Sequence, residues 1–119
     1  RLSLVGSEMC IRDRDKPNVP VIKMAQSLRD SGHQIVIFSG RSKSTQSATL
    51  DWLMKHKVPF DVIRMRPIKD FTPDDVLKQN WLNDIGKDDV LCTFDDRNKV
   101  VDMWRNNGIT CFQVADGNF

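Results

Sequence analysis

Apolar residues along most of this chain follow two spacings, one typical of helices and one typical of buried strands. Helical spacing occurs in four segments, at 19–30, 48–56, 72–85 and 98–107. Apolar runs of strand length lie between and after them, at 34–38, 60–65, 90–94 and 109–114. Strands that alternate with helices predict a parallel sheet covered by helices on both faces. The pattern therefore predicts a three-layer α/β fold with a Rossmann-like sheet.

The first fourteen residues do not continue this pattern, because they show neither helical nor strand periodicity over a useful length. They also resemble translated sequencing-adapter contamination. We interpret residues 1–14 as a non-native or disordered segment and residues 15–119 as one domain, with a strand-forming N-terminus as the alternative. Because the first predicted element of the domain is then a helix, we expect its sheet to lack the first core strand.

Composition excludes several classes of protein. The 119 residues suffice for one domain, and the net charge of +2 by itself indicates neither a nucleic-acid nor a membrane partner. No apolar run is long enough to span a bilayer, and no signal peptide is evident. The three cysteines, Cys10, Cys92 and Cys111, are odd in number and lack zinc-site spacing. Cys92 and Cys111 fall in predicted strands, so we interpret these two as buried free thiols. A cytoplasmic location is expected.

Two adjacent carboxylates end the apolar run at 90–94. Asp95 and Asp96 follow Phe94 directly, and a predicted helix begins soon after them. Ligands of open parallel sheets bind at the carboxyl ends of the strands. Two acids at that position repel each other and favour a cation, and carboxylate oxygens are ligands that Mg²⁺ prefers. The pair therefore predicts a Mg²⁺ site, although an aspartate that only caps the next helix is the simpler structural explanation.

A second strand end carries groups suited to phosphate. The strand at 34–38 leads into Ser39, Gly40 and Arg41, which offer a hydroxyl, an unhindered backbone and a guanidinium. Alone, these three residues would be an ordinary exit from a strand. Together with the twin acids they indicate phosphoryl chemistry, since both groups are expected at the same edge of the sheet.

Other polar and aromatic residues have plain explanations. The three tryptophans lie on apolar helical faces and are expected to pack in the core or at its rim. Arg64, Arg66 and Lys69 follow the second predicted strand, where they would either guide a nucleic-acid backbone or form a solvated loop. Thr72 and Pro73 are predicted as the N-cap and first residue of the third helix.

Four segments carry a resemblance to a known family. Residues 94–105 and 111–119 resemble the phosphatase domain of bacteriophage-type polynucleotide kinase/3′-phosphatase, a member of the haloacid dehalogenase-like superfamily. Residues 32–41 are similar to its second motif, and residues 74–78 to its third. The resemblance implies Mg²⁺-dependent removal of a 3′-phosphate from a DNA or RNA end through an aspartyl-phosphate. It also implies an upstream kinase domain in the parent protein.

The resemblance further implies a role for each matching residue. Ser39 and Arg41, with Gly40, would bind the phosphoryl group of the substrate. Lys78 would neutralise its charge, and Asp74 would hold Lys78 in place.

Of the two adjacent acids after Phe94, the resemblance implies that Asp96 would bind Mg²⁺ and that Asp95 would support the metal site. The physical logic agrees, because phosphoryl transfer depends on positioning and positive charge.

The family's first motif, Asp-x-Asp-Gly-Thr after the leading strand, does not occur in this sequence. The one Asp-x-Asp, formed by Asp13 and Asp15, is followed by Lys16 and Pro17 rather than Gly-Thr. We therefore expect a chain that is truncated before its first motif, lacks the nucleophile and is inactive as written.

Two alternatives remain open at this stage. A receiver-like phosphate-binding module also uses a parallel sheet, acids, a hydroxyl and a lysine, but its paired acids come early along the chain. A phosphatase of the same superfamily that acts on a small phosphorylated metabolite would share every feature above.

Overall fold

A parallel sheet forms the centre of the computed structural model, which describes the backbone of residues 2–6 and all of residues 17–119. Five strands are found in these parts of the chain: β1 (Leu2–Gly6), β2 (Gln34–Ser42), β3 (Val62–Arg66), β4 (Val90–Asp95) and β5 (Cys111–Gln113). Their order is β3-β2-β1-β4-β5, and every neighbouring pair is parallel. The helices are α1 (Val19–Asp30), α2 (Gln46–Lys55), α3 (Asp74–Ile85) and α4 (Asn98–Asn106). The predicted α/β fold is confirmed.

Two apolar cores lie on opposite faces of the sheet. Successive residues of β2 point to opposite sides, so Val36 and Phe38 pack against α3 and α4, whereas Ile35 and Ile37 pack against α1 and α2. On the first face, Trp81 and Trp104 are buried around the Phe38 ring. Both faces of the strand are thus covered, which explains why β2 is a continuous apolar run in the sequence.

The expectation of a missing first core strand is wrong for this structure. Leu2–Gly6 forms β1 at the centre of the sheet, with Gly6 beside Phe38 of β2 and Val5 beside Phe94 of β4. Five residues are too few to show a periodicity, yet a short apolar run between two neighbours suffices for a central parallel strand. The alternative of a strand-forming N-terminus therefore describes residues 2–6. Residues 7–16, with Cys10, Asp13 and Asp15, lie outside the described part of the chain.

Element boundaries differ from prediction where chemistry concentrates. Strand β2 continues four residues beyond Phe38 to Ser42, so the predicted exit loop belongs to the strand, whose pairing with β3 is interrupted between Ser39 and Ser42. Helix α3 begins at Asp74, and Pro73 occupies the N-cap position without a side-chain capping bond. The prediction of Thr72 as the N-cap is therefore wrong, because Thr72 belongs to the loop before the helix. No described helix has the length and apolar character needed to cross a membrane.

Candidate functional site

The two predicted strand ends meet at one edge of the sheet. Gly6 of β1 lies between Phe38 and the end of β4, so Ser39 and Asp95 follow the two strands that flank β1. Neighbouring strands are about 4.8 Å apart, which puts these two backbone positions roughly 10 Å from each other. The carboxyl edge of the sheet therefore holds both predicted half-sites.

Lys78 occupies the centre of this edge. Its side chain is 1% exposed, and its Nζ lies 3.5 Å from Asp74 Oδ2 and 3.5 Å from Asp95 Oδ2. An isolated ammonium group in such a place would lose its hydration at high cost, and the two carboxylates offset that cost. Asp74 lies one helical turn before Lys78 on α3, whereas Asp95 reaches it from the end of β4. The pairing of Asp74 with Lys78, implied by the resemblance, is present.

The Asp95 carboxylate is held by three donors. Its Oδ1 accepts a hydrogen bond from the Asp96 backbone N–H at 2.9 Å. Its Oδ2 lies 3.5 Å from Lys78 Nζ and accepts the indole N–H of Trp104 at 3.3 Å. Both oxygens are therefore used by the protein. The structure suits Asp95 to orienting Lys78 and the turn into Asp96 better than to holding an ion directly.

Two arginines connect the half-sites. Arg66 Nη2 lies 3.5 Å from Asp74 Oδ1, and Arg97 Nη1 lies 3.8 Å from Asp74 Oδ2. Asp74 Oδ1 accepts no well-directed hydrogen bond from any described group, so we regard the Arg66 contact as an ion pair. Arg66 Nε also donates to the Gly40 carbonyl at 2.8 Å. One guanidinium thereby joins β2, at the predicted phosphate-binding residues, to the Asp74–Lys78 pair.

Asp96 is buried at the turn between β4 and α4, with only 2% of the residue exposed. Its backbone carbonyl accepts a hydrogen bond from Gln113 Nε2 at 2.9 Å. Gly117 lies so close that an added Cβ would sit 1.6 Å from the same carbonyl oxygen. The Gly117 carbonyl also accepts the Asn98 N–H, one of the unpaired donors at the start of α4, at 2.8 Å. The C-terminal segment therefore supports this turn from behind.

Ser39 and Arg41 are placed differently from each other. Ser39 is fully buried, and its Oγ accepts the Arg41 backbone N–H at 3.1 Å. A hydroxyl that accepts one bond still has a proton to donate, so Ser39 can serve a phosphoryl oxygen. Arg41 is exposed, and its guanidinium forms no ion pair with any described acid. Its predicted role in phosphate binding stays a prediction.

The donor set at this edge fits a partial Mg²⁺ site. A buried carboxylate, Asp96, lies beside a second acid, and Mg²⁺ in phosphoryl-transfer sites is commonly held by one or two carboxylates together with water and substrate phosphate. Among the described residues, no group of three or more histidines, cysteines or acids is arranged to hold a metal. Asp96 is thus the residue that would hold the ion, with its remaining ligands drawn from elsewhere.

Two titrating groups near this edge depart from their ordinary behaviour. Burial raises the pKa of the Cys111 thiol, so this cysteine stays protonated and unreactive at neutral pH. Cys92 and Cys111 are both buried free thiols, as predicted. On the surface, hydrogen bonding to Thr72 lowers the pKa of Asp70, which keeps this loop residue ionised.

Sequence reasoning missed several residues of the site. The sequence predicts that Arg66 either guides a nucleic-acid backbone or belongs to a solvated loop, but its guanidinium is turned inward to Asp74 and Gly40. Trp104 was expected only to pack, yet its N–H binds Asp95. A buried tryptophan needs a partner for its N–H, and that requirement is the one signal that could have indicated this contact.

Comparison with known proteins agrees with this geometry. Residues 8–119 match the family model described as the polynucleotide kinase PNKP phosphatase domain. A chain in the solved structure of the Pnkp1/Rnl/Hen1 RNA repair complex is 26% identical, with a TM-score of 0.86, and the match covers 99% of this chain and 43% of that one. A chain in a second structure of the Pnkp1/Rnl/Hen1 complex is also 26% identical, with a TM-score of 0.87, and the match covers 99% and 47%.

This chain therefore spans less than half the length of those solved chains. The family match, in contrast, extends over nearly the whole sequence and includes every residue of the site described above. The buried Lys78 between two aspartates and the acid pair after β4 both lie within it, as do β2, β3, β4 and β5, whereas β1 precedes it. The chain belongs to the haloacid dehalogenase-like family of polynucleotide kinase PNKP phosphatase domains.

Proposed function

We propose that this domain binds the 3′-phosphate end of a polynucleotide and forms the charge-stabilising part of a Mg²⁺-dependent 3′-phosphatase site. The observation that carries the proposal is the buried ammonium of Lys78, which Asp74 and Asp95 hold at the carboxyl edge of the sheet. A phosphoryl group in transfer spreads negative charge over its oxygens, and a fixed cation in a dry site stabilises that charge. The solved RNA repair complexes make RNA ends the first substrate to test, with DNA ends beside them.

The proposed roles follow from the contacts. Ser39 donates its hydroxyl proton to a phosphoryl oxygen, and Arg41 contacts the phosphate from the exposed side of the same strand. Asp96 holds Mg²⁺, which when bound neutralises negative charge on the phosphate. Asp95 fixes the position of Lys78, since both of its oxygens are already engaged.

The sequence contains no Asp-x-Asp-Gly-Thr, so we propose that the chain as written binds such ends without hydrolysing them. It also contains no Gly-x-x-x-x-Gly-Lys-Ser/Thr loop, so a 5′-kinase activity would have to come from another domain of the parent protein. A carboxylate nucleophile is needed to divide the hydrolysis into two easier steps.

The strand order speaks against the receiver alternative. Receiver-like sheets have the order 2-1-3-4-5, whereas this sheet is ordered β3-β2-β1-β4-β5. The site residues also lie on different elements from those of a receiver, because the acid pair follows the fourth strand rather than the first. Incubation with labelled acetyl phosphate should therefore leave the chain unlabelled.

A binding experiment tests the proposal on the chain as it exists. Fluorescence anisotropy would compare a short RNA with a 3′-phosphate against the same RNA with a 3′-hydroxyl, with and without Mg²⁺. We expect tighter binding of the phosphorylated end, and we expect Asp96→Asn to remove the Mg²⁺-dependent part of this preference. Equal binding of both ends in Mg²⁺ would contradict the proposal.

A gain-of-function variant tests the reaction and separates substrate classes. The four substitutions Ser7→Asp, Met9→Asp, Cys10→Gly and Ile11→Thr write the missing motif directly after β1. We expect this variant to release phosphate from a 3′-phosphorylated oligonucleotide, and we expect Ser7→Asn with the other three changes to be inactive. Turnover of sugar phosphates in preference to the oligonucleotide would favour the small-metabolite phosphatase.

A further inference from the structure

One exposed aromatic residue lies beside the proposed phosphate site without any role in packing. Phe71 is 91% exposed, more than any other large apolar residue described. It belongs to residues 67–73, which connect β3 to α3 and which we name the platform loop. A single exposed phenylalanine is common on protein surfaces, so its meaning depends on how the loop holds it and what surrounds it.

The platform loop is fixed on both sides of Phe71. Arg66 Nη1 donates to the Asp70 carbonyl at 3.3 Å and to the Thr72 carbonyl. The Thr72 N–H in turn binds Asp70 Oδ1 at 2.8 Å, and Lys69 adopts a left-handed backbone conformation with φ of 63°. One guanidinium therefore ties the residues before and after Phe71, which leaves its ring directed away from the core.

The same guanidinium connects the platform loop to the phosphate site. Arg66 Nε donates to the carbonyl of Gly40, the residue between Ser39 and Arg41. Arg66 also faces Asp74, the partner of Lys78. The backbone at Phe71 is thus held relative to the proposed site of the terminal phosphate.

A groove of about 630 Å³ runs along the platform loop and past the start of α3. Four basic residues and two acids contribute to its lining: Arg66, Lys69, Arg97, Lys99, Asp70 and Asp74. Asp74 is already balanced by Lys78 and the two arginines. Lys99 pairs with Asp75, which lies outside the lining, at 3.8 Å. The lining residues still carry more positive than negative charge, which suits a polyanion.

We infer that Phe71 is a stacking platform for a nucleobase close to the 3′ end of a single-stranded polynucleotide whose terminal phosphate lies at Lys78. This inference rests on the proposed function. Aromatic side chains beside a basic groove are the usual means of holding single strands, because every base presents a flat face while the backbone follows the charge. A protein segment would also cover Phe71, but it would not explain the basic surplus or the connection through Arg66 to the phosphate site.

The test uses the unmodified chain and fluorescein-labelled oligonucleotides with a 3′-phosphate. In one set, each of the three 3′-terminal nucleotides is replaced in turn by an abasic nucleotide, which removes the base and keeps the phosphate. We expect one abasic position to weaken binding by about tenfold or more in the wild-type chain. Phe71→Ala should bind the complete and abasic oligonucleotides equally, and Phe71→Trp should restore the difference.

Controls separate the possible failures. Ile68→Ala removes another exposed apolar side chain of the platform loop, 63% exposed, and should leave the base effect intact. The Phe71→Ala variant should still bind a 3′-phosphorylated oligonucleotide more tightly than one with a 3′-hydroxyl. If the wild-type chain itself shows no such preference, the proposed function is contradicted instead. If no abasic position weakens wild-type binding, or if Phe71→Ala keeps the full base effect, the inference is refuted. If Phe71→Ala binds oligonucleotides as the wild type does but no longer binds a protein partner, the exposed surface at Phe71 is a protein-binding surface instead.

Discussion

Gly117 offers a purely steric test of how the Asp96 turn is held. The residue is not among the glycines with a positive φ, so the left-handed region does not oppose an alanine here. An alanine Cβ would nevertheless lie 1.6 Å from the Asp96 carbonyl oxygen, 2.5 Å from its carbon and 2.7 Å from the Asn98 nitrogen. All three are backbone atoms, which cannot move aside as the end of a flexible side chain can.

The expected magnitude follows from that geometry. Separations below 3.0 Å are essentially never seen for a Cβ, so the distance to the Asp96 oxygen must nearly double. Overpacking of this kind costs about 1–3 kcal/mol. If the C-terminal segment moves away, the bond from the Asn98 N–H to the Gly117 carbonyl is also lost, which adds about 0.5–1.5 kcal/mol. Gly117→Ala should therefore destabilise the domain by about 1.5–4.5 kcal/mol.

The assay pairs urea denaturation with binding of a 3′-phosphorylated oligonucleotide. Gly108→Ala is the matched control, since Gly108 has a φ of 79° and no atom within 4 Å of the added Cβ. Its strain of about 1–2 kcal/mol arises at the far end of α4. If displacement of Asp96 by the added methyl group costs about 1.4 kcal/mol of binding free energy, the Mg²⁺-dependent affinity for the oligonucleotide falls about tenfold. Gly108→Ala should lose stability and keep binding.

Two results would refute this reasoning. Gly117→Ala with wild-type stability would mean that the C-terminal segment does not rest against the Asp96 turn. If Gly117→Ala is destabilised but keeps its Mg²⁺-dependent binding, the contact of Gly117 with the Asp96 turn contributes to stability and not to the function of Asp96.

Two further predictions concern buried groups. Lys78→Met leaves Asp74 and Asp95 without their shared cation, so it should lower the free energy of unfolding in a urea titration by about 3–5 kcal/mol. In the same titration, Lys99→Met removes only an exposed ion pair and should change the free energy of unfolding by less than about 1 kcal/mol. Because burial raises the pKa of Cys111, the free energy of unfolding should be constant below the thiol pKa of the unfolded chain, 9.0, and should fall as the pH rises through the higher pKa of the folded chain. Calorimetry between pH 8 and 10.5 should therefore show a smaller loss of stability in Cys111→Ala than in the wild type. An unchanged dependence of stability on pH would contradict burial of the thiol.

Much of the fold was readable because buried parallel strands leave continuous apolar runs. The runs ending at Phe38 and Phe94 indicated two strands of one sheet, and the polar residues after them marked its functional edge. Asp95 and Asp96 could be singled out because adjacent acids after a buried strand are hard to explain by packing alone. These inferences needed only local sequence.

The connections within the site could not be predicted in the same way. Arg66 lies 26 positions from Gly40, and Trp104 meets Asp95 only because α4 folds back over the sheet. Nothing local distinguishes Arg66 from Arg64, which instead forms an exposed ion pair with Asp84. The functional groups at the carboxyl edge of the sheet can thus be predicted from the residues that end the strands. The side chains that position these groups cannot, because they are brought there by tertiary contacts.

The position of β1 bears directly on the proposed mechanism. A five-residue strand carries too little pattern to be recognised, yet its place between β2 and β4 puts its end between Ser39 and Asp95. The residue that follows Gly6 in the sequence is Ser7, the first of the four positions at which the proposed substitutions restore an Asp-x-Asp-Gly-Thr motif. The flanking strand ends carry the buried Ser39, proposed to bind phosphate, and Asp95, whose carboxylate lies against Lys78. The missing Asp-x-Asp-Gly-Thr motif, rather than a missing scaffold, would then separate this chain from an active phosphatase, and the four substitutions at 7–11 test that difference directly.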